Sequence, residues 1–486
     1  MDALMTVLIL DIGSSSTRAI LFNETADPIP DAHISIPHQF EIEPSGASYI
    51  DPLILQTHAE QCIDDILRHS QADTIRAVGM TTFVGNVLGI DTHQRPVTPV
   101  YTYADTRSAD DANILKAKID LQAQHQATGC LLHTAYLPAR LHWIRRTFPK
   151  AYESAEQWID VGTYLYRQWF GDAPTSYSVA AWTGMLNRAA LNWDVKWLET
   201  LALSAEKLPM LTDYDQRQRG LTFEYAARWS VLSEVPFFLA VGDGAAANVG
   251  SGCVGGAKIA LTMGTTAALR RVYRAEFPPP VPTGLWSYRV RRDLHLIGGA
   301  TTEGGSVFQW MRDTLRLDIH DLDEHLLALE PDQHGLTMLP LFAGERSPGW
   351  RADATAAITG MRLSTSPLDI LQAGMESIAL RLSLIAEQLH AGDEDAKIVA
   401  GGGAITASRA WSQMIADAIN MPLHITEEKE ITARGAAILV LSALGLADLN
   451  DFPPKISRVV EPRPQGAAAM RRARERQTAL YRTLYD

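Results

Sequence analysis

Two stretches of the chain repeat one hydrophobic and polar pattern. Val7-Leu8-Ile9-Leu10 is an apolar run that meets Asp11-Ile12, passes through Gly13-Ser14-Ser15-Ser16-Thr17-Arg18 and resumes as Ala19-Ile20-Leu21-Phe22. Residues 257–270 repeat it: Ala257-Lys258-Ile259-Ala260-Leu261-Thr262-Met263, then Gly264-Thr265-Thr266, then Ala267-Ala268-Leu269-Arg270. Each predicts two strands joined by a tight hairpin. Elsewhere strand-like and helix-like periods alternate, with a strand over 75–80 and an amphipathic helix over 411–419. That alternation predicts an α/β fold. The repeated hairpin predicts two similar domains, residues 1–247 and 248–486, joined near 245–256. The run Gly244-Ala245-Ala246-Ala247-Asn248-Val249-Gly250-Ser251-Gly252 is small enough there for close helix packing or a hinge.

Composition narrows the class. A chain of 486 residues exceeds one core and predicts two or three domains. A net charge of −13 argues against nucleic acid or an anionic membrane as partner, without forbidding an anionic substrate at a local site. Cys62, Cys130 and Cys253 form neither a metal-ligand spacing nor a disulfide framework, which suits a reducing cytoplasm. The opening residues 1–6 lack a basic region, and the run after them breaks at Asp11, so it reads as a core strand and not a signal peptide. No stretch approaches the roughly 20 apolar residues of a membrane span. Glu276-Phe277-Pro278-Pro279-Pro280-Val281-Pro282 predicts a surface loop, and the basic tail Met470-Arg471-Arg472-Ala473-Arg474-Glu475-Arg476 a solvated helix face.

The candidate chemistry follows from the turns. A Gly/Ser/Thr hairpin presents backbone N–H groups and hydroxyls in a concavity that suits a phosphate, and two facing ones can hold a nucleotide triphosphate. Asp11 sits at the mouth of the first, where a metal on phosphates would lie. Asp243, between Gly242 and Gly244 after an apolar run, reads as a general base toward a hydroxyl or as a turn carboxylate bonding its own backbone. Gly401-Gly402-Gly403-Ala404, between a strand and a helix near Ser408, reads as a seat for adenine or phosphate, or as a structural turn. Gly305 and, one helical turn on, Gln309 read as ligand-facing or as an ordinary helix start with a solvated polar residue. Tyr101-Thr102-Tyr103-Ala104-Asp105-Thr106-Arg107 reads as a polyol-binding set or as a surface Asp–Arg pair.

Taken in order, these segments resemble the FGGY carbohydrate kinases, of the actin-like, hexokinase-type ATPase superfamily. Asp11-Ile12-Gly13-Ser14-Ser15-Ser16-Thr17-Arg18 is similar to the first phosphate motif, Gly242-Asp243-Gly244 to the catalytic segment, and Met263-Gly264-Thr265-Thr266 to the second phosphate motif. Gly401-Gly402-Gly403-Ala404 is similar to the adenosine motif, and Gly344-Glu345-Arg346-Ser347-Pro348 to a further signature. The likeness spans about residues 6 to 446. Its segments Tyr103-Ala104-Asp105-Thr106-Arg107-Ser108 and Ser176-Tyr177-Ser178-Val179-Ala180 resemble gluconate kinases most. Tyr103 stands where Trp is usual, and Val84-Gly85 where Met-His or Met-Gly is expected, so a substrate-facing His is missing there.

The resemblance implies two actin-like (ribonuclease H-like) ATPase domains around a cleft, and phosphoryl transfer from MgATP to a hydroxyl of a sugar or sugar acid. It implies Asp243 as base, with Asp11 and Asp243 at Mg²⁺. It implies Gly13, Ser14, Ser15, Arg18, Gly264, Thr265 and Thr266 at phosphates, and Gly305, Gln309, Gly402, Gly403 and Ala404 at adenosine. Phe83, Val84, Gly85, Tyr103, Asp105, Arg107 and Asp243 would line the substrate. D-gluconate is the expected acceptor, a ketopentose such as xylulose or ribulose the alternative, and a catalytically inactive nucleotide- or sugar-binding regulator the alternative of another class. A homodimer is the commonest assembly for such enzymes.

Overall fold

The computed structural model describes residues 5–485 except 256, 391, 392 and 394. Residues 1–4 of the opening and residue 256 of the expected join therefore lie outside the described residues.

Both hairpins form. Thr6–Ile12 pairs antiparallel with Ser16–Phe22, with Asp11 opposite Arg18. Lys258–Met263 pairs with Ala267–Arg274, with Met263 opposite Ala267. Each hairpin then grows in the same way. Pro28–Pro37 adds antiparallel to the second strand of the first hairpin, as Leu294–Thr301 does in the second. Ile75–Thr82 adds parallel to Thr6–Ile12, as Lys397–Gly401 adds parallel to Lys258–Met263. A parallel join needs a crossover, and the helices Pro52–Ile66 and Pro367–His390 lie within the two crossovers. The result is two seven-stranded sheets, with strands drawn from residues 6–242 and 258–460. Val7 to Leu10 are fully buried on both faces, which explains a continuous apolar run in place of alternation.

The halves do not keep to separate cores. The helix Ile431–Ala443 follows the second sheet's last parallel strand, yet it packs on Thr6–Ile12 and Ile75–Thr82 of the first. Val440 stands 2.6 Å from where a Cβ on Gly79 would lie. The same helix crosses Asp243–Gly250 at backbone contact. A Cβ on Gly250 would lie 1.8 Å from the Ile431 carbonyl oxygen, and one on Gly435 1.8 Å from that of Ala246. Of the two readings of the small-residue run, the structure shows close helix packing.

One expectation needs correction and one is met. The Pro-rich segment is not simply a surface loop. Phe277 is exposed, but Val281 is buried and is held by the Gln126 amide through two bonds of 2.8 Å, because the segment straps the second half to the first. The basic tail forms the helix Pro464–Tyr485, in which Arg471 and Arg472 are exposed while Met470, Ala473 and Gln477 are buried, so only one face is solvated.

Candidate functional site

The first Gly/Ser turn is held from behind. Gly13 N–H donates to the Ser16 carbonyl (3.0 Å), closing the hairpin. His38 donates its N–H to the Ser15 carbonyl, and its Nε2 lies 3.0 Å from the Gly13 carbonyl. The turn's carbonyls are thus occupied on the protein side, and Ser14 and Ser15 stand exposed. Arg18, on the facing strand, lies 3.6 Å from Asp11 and 2.5 Å from Glu430. Its guanidinium therefore ties the turn to the start of the helix Ile431–Ala443.

The second turn is braced by the helix Gly305–Thr314. Gly305 N–H donates to the Gly264 carbonyl (2.7 Å), and the Ser306 hydroxyl to the Thr265 carbonyl (2.8 Å). A Cβ on Gly305 would lie 2.8 Å from the Gly264 oxygen, so this glycine is required by backbone approach. Gly264, Thr265 and Thr266 are exposed. Gly402 adopts φ +98°, and a Cβ there would lie 2.5 Å from the Met263 carbonyl, a place only glycine fills. Gly403 faces open space, and Ala404 lies 3.6 Å from the Cβ position of Gly305. The second turn, Gly305 and the Gly402-Gly403-Ala404 loop thus meet at one place. Gln309 lies further along the helix, exposed, with its amide on the Asp313 carboxylate (2.8 and 2.9 Å).

Asp243 opens the helix Asp243–Gly250, where the dipole favours a negative charge. Its Oδ1 accepts from the Gly244 N–H (2.7 Å). The flanking glycines let the Trp182 indole lie against the segment. A Cβ on Gly242 would stand 2.7 Å from its Nε1, and one on Gly244 2.8 Å from its ring edge. Trp182 in turn stacks on Tyr288 at 3.8 Å, and the Tyr288 and Tyr136 hydroxyls are 2.7 Å apart. Burial pushes the Asp243 carboxyl up to about 6, opposed by the Gly244 N–H and the Arg270 guanidinium. Asp11 is pushed up to about 7, first by burial, against the pull of Arg18 and with the charges of Asp243 and Glu430 adding to the rise. Asp11 thus feels Asp243 electrostatically, which sets the first turn and the catalytic candidate on one space. Tyr103 belongs to it as well, since its phenol feels the charge of Asp243.

The remaining sugar-side candidates divide. Gly85 takes φ +67° beneath Tyr103, and its carbonyl accepts from Arg140 (2.6 Å), which also donates to the Thr134 carbonyl (3.0 Å). Val84 is buried beside Gly242. Phe83 does not face the cleft: just after the strand Ile75–Thr82 its ring is fully buried in the first core, against Phe40. Asp105 and Arg107 form a pair, but not a surface one. Asp105 is 1% exposed, and it accepts from the Ser48 N–H (3.2 Å) and from Arg107 Nη2 (2.6 Å). Arg107 lies 4.5 Å over the Trp143 ring. Their hydrogen-bonding capacity is largely used inside the domain.

Several residues escaped the sequence reading. Arg270, bonded to Thr262 Oγ1 (3.0 Å), supplies the cation that Asp243 feels; its strand also carries Arg271 and Arg274, so nothing local singled it out. His133 stands where Trp350 of the second half packs edge-on against it at 5.6 Å. Burial and the Arg346 charge bring its pKa down to about 4, so the ring is neutral. Trp182 and His133 carry no local motif and are brought in by tertiary packing.

Asp11 and Asp243 are hard oxygen donors beside the first Gly/Ser turn, and a cation at 3.6 Å partly offsets the burial of Asp11, so the residues fit Mg²⁺. Asp332, His334 and Glu376 also cluster. There His334 Nδ1 accepts from Leu336 N–H and Nε2 faces Glu376, while Gln372 occupies the other Glu376 oxygen, so these groups are already bonded to one another. Among the described residues no helix is long and apolar enough to cross a membrane.

Comparison with known proteins gives the family and the fold. The family model for the N-terminal domain of the FGGY family of carbohydrate kinases matches residues 6–250, and that for the C-terminal domain matches residues 259–444. The chain is 26% identical over 459 residues to a gluconokinase of Bacillus subtilis (strain 168), covering 91% of this chain and 88% of the relative. It is 23% identical over 458 residues to a xylulose kinase of Staphylococcus xylosus, covering 92% of each. The solved gluconate kinase from Lactobacillus acidophilus superposes with a TM-score of 0.91 at 24% identity, covering 99% of this chain and 98% of that one. The fold is the two-domain actin-like ATPase fold.

Proposed function

The chain belongs to the FGGY family of carbohydrate kinases, and from that premise we propose that it transfers the γ-phosphate of MgATP to a hydroxyl of D-gluconate. The observation that carries the transfer is the meeting of Asp11, Asp243 and Tyr103 at the first Gly/Ser turn. Asp243 accepts the proton of the attacking hydroxyl. With its carboxyl near 6 it is ionised at neutral pH, and it is near enough to neutrality to be an effective base. Ser14, Ser15, Gly264 and Thr265 hold phosphate oxygens from two sides, while Gly402, Gly403 and Ala404 seat adenosine, with Gly305 admitting the backbone approach. Asp11, with Asp243, holds Mg²⁺, which when bound neutralises charge on the β- and γ-phosphates. The buried Trp182 ring helps to exclude water from the acceptor, which limits transfer to water. Three buried thiols without disulfides support a reducing, cytoplasmic setting.

Gluconate is favoured by the likeness to gluconokinases over nearly the whole chain. A ketopentose is the second reading, favoured by the xylulose kinase relative. The test is MgADP release against D-gluconate, D-xylulose, D- and L-ribulose and glycerol, each beside Asp243→Ala. Turnover on gluconate above the others, lost in the variant, is expected. Preference for a pentulose would replace the acceptor, and ATP binding with no turnover on any acceptor would favour the regulator.

A further inference from the structure

Glu345 and Arg346 are neighbours in sequence and part company in space. Glu345 is buried and turns inward, where its carboxylate bonds Arg381, the Tyr481 hydroxyl (2.6 Å) and the Gly349 N–H (3.1 Å). Arg346 is half-buried, and among the described residues its guanidinium has neither an ion pair nor a hydrogen bond. The loop that carries it is fixed. Ser347 N–H donates to the Ala300 carbonyl (3.0 Å), Trp350 N–H to the Arg346 carbonyl (2.6 Å), and Trp350 Nε1 to the Gly284 carbonyl (2.7 Å). Trp350 then packs across the cleft on His133 (5.6 Å) and Tyr136 (6.5 Å). Arg346 is thereby carried against the acceptor-side wall of the first half, where His133 and Tyr103 feel its charge.

A half-buried guanidinium without an ion pair keeps its fork of N–H donors for a ligand anion. Asp243 does not supply the anion, since the cation it feels is Arg270. His133 faces the same place. Its Nδ1 accepts from Ala135 N–H (3.1 Å), so in the neutral ring Nε2 carries the proton and is a donor. We propose that Arg346, with the Nε2–H of His133, forms a carboxylate subsite that reads the acid end of an aldonate. This rests on the sugar-acid reading above and names what enforces it. It also places a donor where the His expected at positions 84–85 is missing.

The test is calorimetric binding of D-gluconate and of D-glucitol, which carries CH₂OH in place of the carboxylate, to the wild-type protein, Arg346→Gln and Arg346→Lys. The wild type is expected to prefer gluconate, and Arg346→Gln to lose about 10- to 100-fold on gluconate while its glucitol affinity moves far less. Arg346→Lys should restore part of the preference. Gluconate affinity unchanged in Arg346→Gln overturns the subsite and leaves the gluconate reading standing. An equal loss on MgATP makes Arg346 a phosphate clamp and overturns the subsite as well. Arg346-dependent binding of a different aldonate, with none of gluconate, overturns the choice of gluconate and keeps the subsite. Binding of neutral pentuloses and of no aldonate overturns both.

Discussion

A base that takes a proton from an alcohol must be ionised when the alcohol arrives. Burial pushes the Asp243 carboxyl up to about 6, and the proposed base is the deprotonated form, so kcat/KM should rise with pH through about 6 and level off above it. Asp243→Asn should lower kcat by about 10²- to 10⁴-fold and abolish that limb, as read in a pH profile. Asp11 titrates near 7 in the absence of metal. Protons compete with Mg²⁺ below that value, so the Mg²⁺ concentration for half-maximal rate should rise from pH 8 to pH 6. Asp11→Asn should raise it at every pH and flatten its pH dependence. Both carboxylates were legible in the sequence because a short motif surrounds each. Arg270, His133, Trp182 and the role of Arg346 were not, since each acquires its neighbours from segments far away in the chain. Asp105 and Arg107 show the converse: adjacent in sequence and chemically apt, they are committed to Ser48 and Trp143.

Among the elements, the hairpins were the most legible, because an apolar run, a Gly/Ser/Thr turn and a second run fix strand, turn and strand locally. Helix placement was not. Nothing in Ile431–Ala443 announces that it lies on the first sheet, and only its Gly435 against Gly250 shows why it can. Gly250→Ala or Gly435→Ala puts a methyl into a carbonyl oxygen and must separate the two helices. Each should destabilise the protein by about 1–3 kcal/mol, measured by denaturant unfolding, and also lower kcat, since Asp243 begins one of these helices. A surface change such as Arg471→Ala, on the solvated face of the tail helix, should move stability by less than about 0.5 kcal/mol.

At the scale of the molecule, two copies of one hairpin design face one space. The second half reaches into the first through Val281 on Gln126, Trp350 on His133 and Glu430 on Arg18. The repeat made two domains legible. The interlocking was invisible, because each strap joins segments far apart in the chain. The proposed reaction delivers phosphate to a sugar-acid hydroxyl with Asp243 as base. Phosphorus NMR of the protein with MgATP and D-gluconate tests it most directly. A gluconate phosphomonoester growing in step with ADP, and absent with Asp243→Asn, is the predicted result. ADP accompanied only by inorganic phosphate, or ester formed at an undiminished rate by the variant, would contradict it.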